Sequence, residues 1–237
     1  NQSNASAGEP FQRELHYKAL MPAMRIGDVL LFQTRTLSGQ VQRAVTRAEY
    51  DHIGVVMRVP IKSRHPASLV ILEATNSRGI QVSPLDSVMA NAMEAGSRVA
   101  HRKLEWTLRH RAIEVKRLKR QYDEILERLE DFLDTNVHKR YSLRSLISGK
   151  ESETGYFCSQ LVAVTYKKMG ILSESTKTHE CWPGTFAQSA PKGSLPLIGA
   201  KLGPETRIRF DEIDIVDAKP MRDSSIQIPS AKPMRDS

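Results

Sequence analysis

The chain has 237 residues, of which 40% are hydrophobic and 26% charged, enough for one sizeable core and ordinary for a soluble protein. Its 35 lysines and arginines outnumber 27 aspartates and glutamates, and the net charge of +8 points to anionic partners such as acidic lipid surfaces or nucleic acid. No apolar run reaches the roughly 20 residues of a membrane helix, and two cysteines exclude a disulfide framework and point to a reducing, cytoplasmic compartment.

In chain order, residues 1–24 read as a polar arm with a short amphipathic piece from Phe11 to Leu20. The arm carries two glycosylation sequons at Asn1 and Asn4 and no initiator methionine, the pattern of a processed product or an excised fragment. A domain is expected over 25–216. It opens with a Gly27-Asp28 turn and an apolar strand through Phe32. Leu37 to Arg47 predicts a short helix with Leu37, Val41, Ala44 and Val45 facing inward. Tyr50 to Val59 is a β-rich run ended by Pro60. Ser68 to Ala74 predicts another strand, Asn76 to Gly79 a turn, and Gly79 to Val82 the return arm of a hairpin. A further strand is expected from Arg98 to Leu104.

The longest helix is expected from about Thr107 to Asn136, where Leu108, Val115, Leu118, Tyr122, Ile125, Leu129, Phe132 and Leu133 recur at helical spacing. Arg109 to Arg120 makes its outer face basic and Glu124 to Asp131 makes it acidic. Such segregation marks either a solvated face or a basic surface for phosphates or lipid head groups. Leu195 to Phe210 holds one or two closing strands. The tail, 217–237, repeats Ala218 to Ser224 as Ala231 to Ser237, and a polar Pro-containing repeat of this kind predicts disorder.

Three positions carry potential chemistry. Gly155 to Ala163 reads as a turn entering a helix, with Gly155 at the turn, Cys158 in the first helical turn and Gly170 at the C-terminal cap. Unpaired N–H groups and the positive end of the helix dipole favour a thiolate there and suit an oxyanion. A small buried cysteine at a helix start fits the same pattern. His52 opens an apolar strand, either as a base at the core's rim or as a histidine bonded to backbone. Glu73 interrupts an apolar strand, where a carboxylate needs a partner unless it points to water at the strand end. On neighbouring strands, Glu73 would take the His52 ring N–H. His179-Glu180-Cys181 is too local to close a metal site, and no Gly-rich phosphate loop is present, so neither metal nor cofactor is expected.

Asp51-His52-Ile53-Gly54-Val55-Val56, Leu72-Glu73-Ala74 and Phe157-Cys158-Ser159-Gln160-Leu161-Val162, in that order, resemble the circularly permuted branch of the NlpC-type papain-like superfamily, nearest its YiiX/YebB-like group. Gly27 to Phe32 resembles the opening Gly-Asp strand of that group, and Pro183-Gly184 resembles the turn after its Cys helix. The resemblance spans roughly residues 25–200. It implies an α+β fold with an antiparallel sheet packed against the Cys helix, to which this chain adds one long charged helix. It also implies a thiol hydrolase or acyltransferase acting on an amide, peptide or lipid acyl bond. Cys158 would be the nucleophile, His52 the general base and Glu73 its orienter. Tyr141 falls where many such enzymes carry a tyrosine upstream of the cysteine, although Asn136-Val137-His138-Lys139 stands in place of their preceding glycine.

The expected partners are a small-molecule, peptide or lipid acyl substrate and an anionic membrane surface. Nucleic acid is not expected. The rival expectation is an inactive binding module that uses the Arg109–Arg120 face on a membrane or RNA.

Overall fold

The computed structural model describes residues 13–65, 68–107, 112–141, 155–190 and 195–210; for 112–120 and 140–141 it describes the backbone alone. The strands are β1 Arg13–His16, β2 Val29–Gln33, β3 His52–Arg58, β4 Leu69–Thr75, β5 Gly79–Pro84, β6 Arg98–Trp106, β7 Arg140–Tyr141, β8 Gly155–Tyr156 and β9 Ala200–Arg209. The α-helices are α1 Tyr17–Leu20, α2 Leu37–Thr46, α3 Leu85–Glu94, α4 Ala112–Asn136 and α5 Cys158–Lys168.

Seven strands form one sheet in the order β1-β9-β6-β2-β3-β4-β5, antiparallel except for the β1–β9 pair. Alternation along β2 and β3 decides which helix each residue meets. Leu31, Ile53, Val55 and Met57 join Ile125, Leu129 and Phe132 of α4 and Leu161, Val162 and Tyr166 of α5. Leu30, Phe32 and Val56 join Tyr17 and Leu20 of α1 and Leu85, Met89 and Ala92 of α3 on the other face. Both faces are therefore covered, which is why β2 and β3 read as continuous apolar runs instead of alternating ones.

Residues 13–24 belong to the fold rather than to an arm. β1 adds to β9 in parallel, and Tyr17, Leu20 and Met24 are buried behind it. Of the expected closing strands, one forms, and it lies between β1 and β6. The tail repeat and the Arg109–Arg111 part of the basic face lie outside the described residues, as do the side chains of the rest of that face.

α2 is the clearest departure from expectation. Leu37, Val41 and Val45 are not inward but 80%, 63% and 77% exposed, and Ala44 is exposed with them. The polar side is held inward instead. Asp51, only 6% exposed, accepts from the Thr34 N–H at 2.9 Å and from the Thr34 hydroxyl, and pairs with Arg43. Gln42 donates to the Asp51 carbonyl at 3.1 Å, and Arg43 to the Thr34 carbonyl at 2.8 Å. A buried carboxylate needs partners, and α2 supplies them from its polar face, which is therefore the face turned inward.

Two buried networks fix the sheet's interior. Asp28 accepts from the Arg25 and Leu104 N–H groups and faces His101 at 2.8 Å. Arg102 donates to the carbonyls of Gly203, Phe186 and Leu202 at 2.7, 2.6 and 3.0 Å.

Candidate active site

α5 begins at Cys158 because Phe157 is extended, with φ −91° and ψ 167°, and Leu161 N–H closes onto its carbonyl at 2.9 Å. It ends where Gly170 takes φ +73°, with Gly170 N–H on the Lys167 carbonyl and Ile171 N–H on that of Tyr166, a Schellman cap. Gly155, expected at a turn, is instead extended in β8. Phe157 supplies no side-chain cap, so no side chain competes for the first-turn N–H groups from the N-cap position. Leu161, Val162 and Ala163 are fully buried and anchor the helix on the sheet, each large aliphatic contributing about 1.5–3 kcal/mol.

His52 is the first residue of β3, and by alternation its side chain belongs with Val56, on the face away from α5. Its position at the rim resolves this: the strand ends there, and the ring hydrogen-bonds the Cys158 thiol as well as Glu73. The ring also packs against Phe32, with centroids 5.4 Å apart. His52 Nε2 lies 2.7 Å from Glu73 Oε2, which leaves Nδ1 for the sulfur. Glu73 Oε1 accepts from the Gln81 amide at 3.0 Å. The three residues that the sequence singles out therefore meet in one place.

The electrostatics follow from this contact. Burial works to lower the His52 pKa, but the Cys158 and Glu73 hydrogen bonds and charges outweigh it and raise it to about 10. Burial works to raise that of Glu73, but the His52 ring, then Gln81 and Arg78, hold it below the ordinary carboxylate range. Cys181 is different: burial pushes its thiol up to about 11. It lies behind the site, where its carbonyl accepts from the Ser159 hydroxyl at 2.7 Å. Both cysteines are free.

A cleft of about 620 Å³ opens over the three residues, a size suited to a small organic group. α2 forms one wall through Ser38, Gly39 and Gln42, and α3 the other through Ser87, Val88 and Asn91. Arg78 stands at its edge. The backbone of Tyr141 pairs with Tyr156, two residues before the cysteine; its side chain lies outside what is described. Gln81 is the site residue that sequence reasoning missed. The signal was present, because a hairpin pairing Thr75 with Gly79 necessarily sets Glu73 opposite Gln81.

No curated protein matches the chain. Among solved structures, the crystal structure of the metalloprotein YiiX from Escherichia coli O157:H7 aligns over 79% of this chain and 97% of its own, with 16% identity and a TM-score of 0.42. Residues 23–182 match the permuted papain-like amidase enzymes of the YaeF/YiiX, C92 family, and the chain belongs to that family.

Proposed function

We propose that this protein hydrolyses an acyl amide through Cys158, His52 and Glu73. Membership of the amidase family makes it an enzyme, of the cysteine amidase or peptidase kind. The assignment of roles rests on one observation: a single imidazole bonded to the Cys158 thiol on one side and, at 2.7 Å, to the Glu73 carboxylate on the other.

The steps follow from that ring. Below about pH 10 His52 already holds the proton that would otherwise sit on sulfur, so the Cys158 sulfur attacks the acyl carbon directly and the carbonyl π pair moves onto oxygen. The Cys158 N–H in the first helical turn would donate to that oxyanion. Collapse breaks the C–N bond, and the nitrogen leaves with the proton held on His52. Water then gives a proton to His52 and its oxygen to the acyl carbon; the C–S bond breaks, the acid departs, and the proton stays on the ring, which restores the starting state. Glu73 fixes the ring's tautomer and supports its charge throughout. Tyr141 belongs to this proposal as a residue of the same corner, approached through the β7–β8 pairing. An amine in place of the water makes the same chemistry an acyl transfer.

The test is turnover of a panel of acyl p-nitroanilides of increasing chain length. Cys158→Ala and His52→Ala are each expected to abolish it, because such residues act as a unit. Turnover that survives Cys158→Ala overturns the assignment.

A further inference from the structure

α2 presents an apolar stripe to the outside and lines the Cys158 cleft with its other side. Leu37, Val41 and Val45 are spaced four residues apart and so share one side of the helix. Their exposure of 80%, 63% and 77% is held by the network around Asp51, which leaves the helix no freedom to roll them inward. Between Val29 and Ala48 the sequence has three arginines and no carboxylate. Arg43 is committed to Asp51, while Arg35 and Arg47 flank the stripe and are exposed.

We propose that α2 docks on an anionic lipid bilayer, with Leu37, Val41 and Val45 entering the head-group region and Arg35 and Arg47 meeting lipid phosphates. A helix with an apolar face and cationic flanks is the form that lies in such an interface. A second copy of the chain is a poorer fit, because a ten-residue helix is only about 15 Å long, and a specific interface needs about 800 Å² on each partner. The binding itself does not rest on the thiol chemistry.

The experiment is flotation of the full chain with phosphatidylcholine vesicles, with and without phosphatidylglycerol. It is run on the wild type and repeated on Cys158→Ala, so that failure of the catalytic reading leaves the result intact. The wild type is expected to float with the anionic vesicles. The triple variant Leu37→Gln, Val41→Gln, Val45→Gln is expected to bind at least about tenfold more weakly. Arg35→Gln with Arg47→Gln is expected to reduce the salt dependence. Unchanged thermal unfolding of both variants shows that the loss is not one of folding. Three results overturn the proposal: no flotation of the wild type, equal flotation of the triple variant, or a loss confined to Arg117→Gln, Lys119→Gln, Arg120→Gln. A wild-type mass of two chains that falls to one in the triple variant assigns the stripe to self-association instead.

Discussion

Gln81 and Glu73 face each other across the β4–β5 ladder, and the Gln81 amide donates to Glu73 Oε1 at 3.0 Å while Oε2 is left for His52. Gln81→Leu removes that donor and keeps the approximate size. It is expected to lower kcat/KM roughly tenfold, the scale of one hydrogen bond to a charged group. The loss is expected mainly in kcat, because in the proposed mechanism the carboxylate acts by positioning the base. A change confined to KM would place Gln81 in substrate binding instead.

The two thiols are expected to differ sharply in reactivity. Cys158 opens onto the cleft beside His52, whereas Cys181 is buried and held at about 11, so at neutral pH it has almost none of the thiolate that alkylation requires. Iodoacetamide at pH 6–7, followed by mass mapping, is expected to label Cys158 and leave Cys181 intact. Equal labelling of both sites contradicts the assignment of the nucleophile.

His52 sets the pH behaviour. Its folded pKa lies above the ordinary 6.5, at about 10, so its contribution to stability is complete below about pH 6.5 and is lost as the pH rises toward 10. Thermal unfolding of wild type and His52→Gln should therefore converge as the pH rises through that window. In the proposed mechanism the proton on the ring is also the one handed to the leaving group, so activity should fall on the alkaline side. Glu73→Gln withdraws the carboxylate charge that helps hold this proton, and the alkaline limb is expected to move to lower pH. An unmoved limb means that another group controls it.

Gly39 is where α2 packs on Thr34 and Asp51, the residues that flank β2 and β3. A Cβ built there would lie 2.3 Å from Thr34 Oγ1 and 2.5 Å from Asp51 Oδ2. Gly39→Ala gains helix propensity but forces the helix off the Asp51 network, and a net loss of about 1–3 kcal/mol is expected by chemical denaturation. A stabilised variant would show that α2 adapts freely, and the orientation of its stripe would then lose its support.

The strands that hold the site were legible because two covered faces demand uninterrupted apolar runs, which β2, β3 and β4 supply. His52, Glu73 and Cys158 were legible as polar residues where such runs begin, end or turn. Their meeting was expected from the neighbouring-strand placement of His52 and Glu73 and from the family resemblance; residue periodicity alone did not give it, because alternation sends His52 toward one face while α5 packs on the other, and the rim position joins them. α2 was misread because apolar periodicity gives a helix's faces without saying which is buried, and the decision came from Asp51, an aspartate outside the helix. β1 was missed because Arg13–His16 has no apolar run, and its partner lies almost the whole chain away. β9 falls in the segment where one or two closing strands are expected, and the sequence leaves the choice between one and two open because Pro204 sits within it, opposite a register shift in β6 between Arg102 and Leu104.

The Arg102 clamp sets a lower limit on the unit that can fold. The family match ends at Trp182, which would suggest a natural place to cut the gene for a smaller fragment. Yet all three carbonyls that receive the Arg102 guanidinium belong to Phe186, Leu202 and Gly203, beyond that point. A fragment stopping at Trp182 keeps the buried cation and discards every acceptor it has here, and it opens the sheet between β1 and β6. The recognisable stretch is therefore shorter than the autonomous one, and expression designs need to run through Arg209.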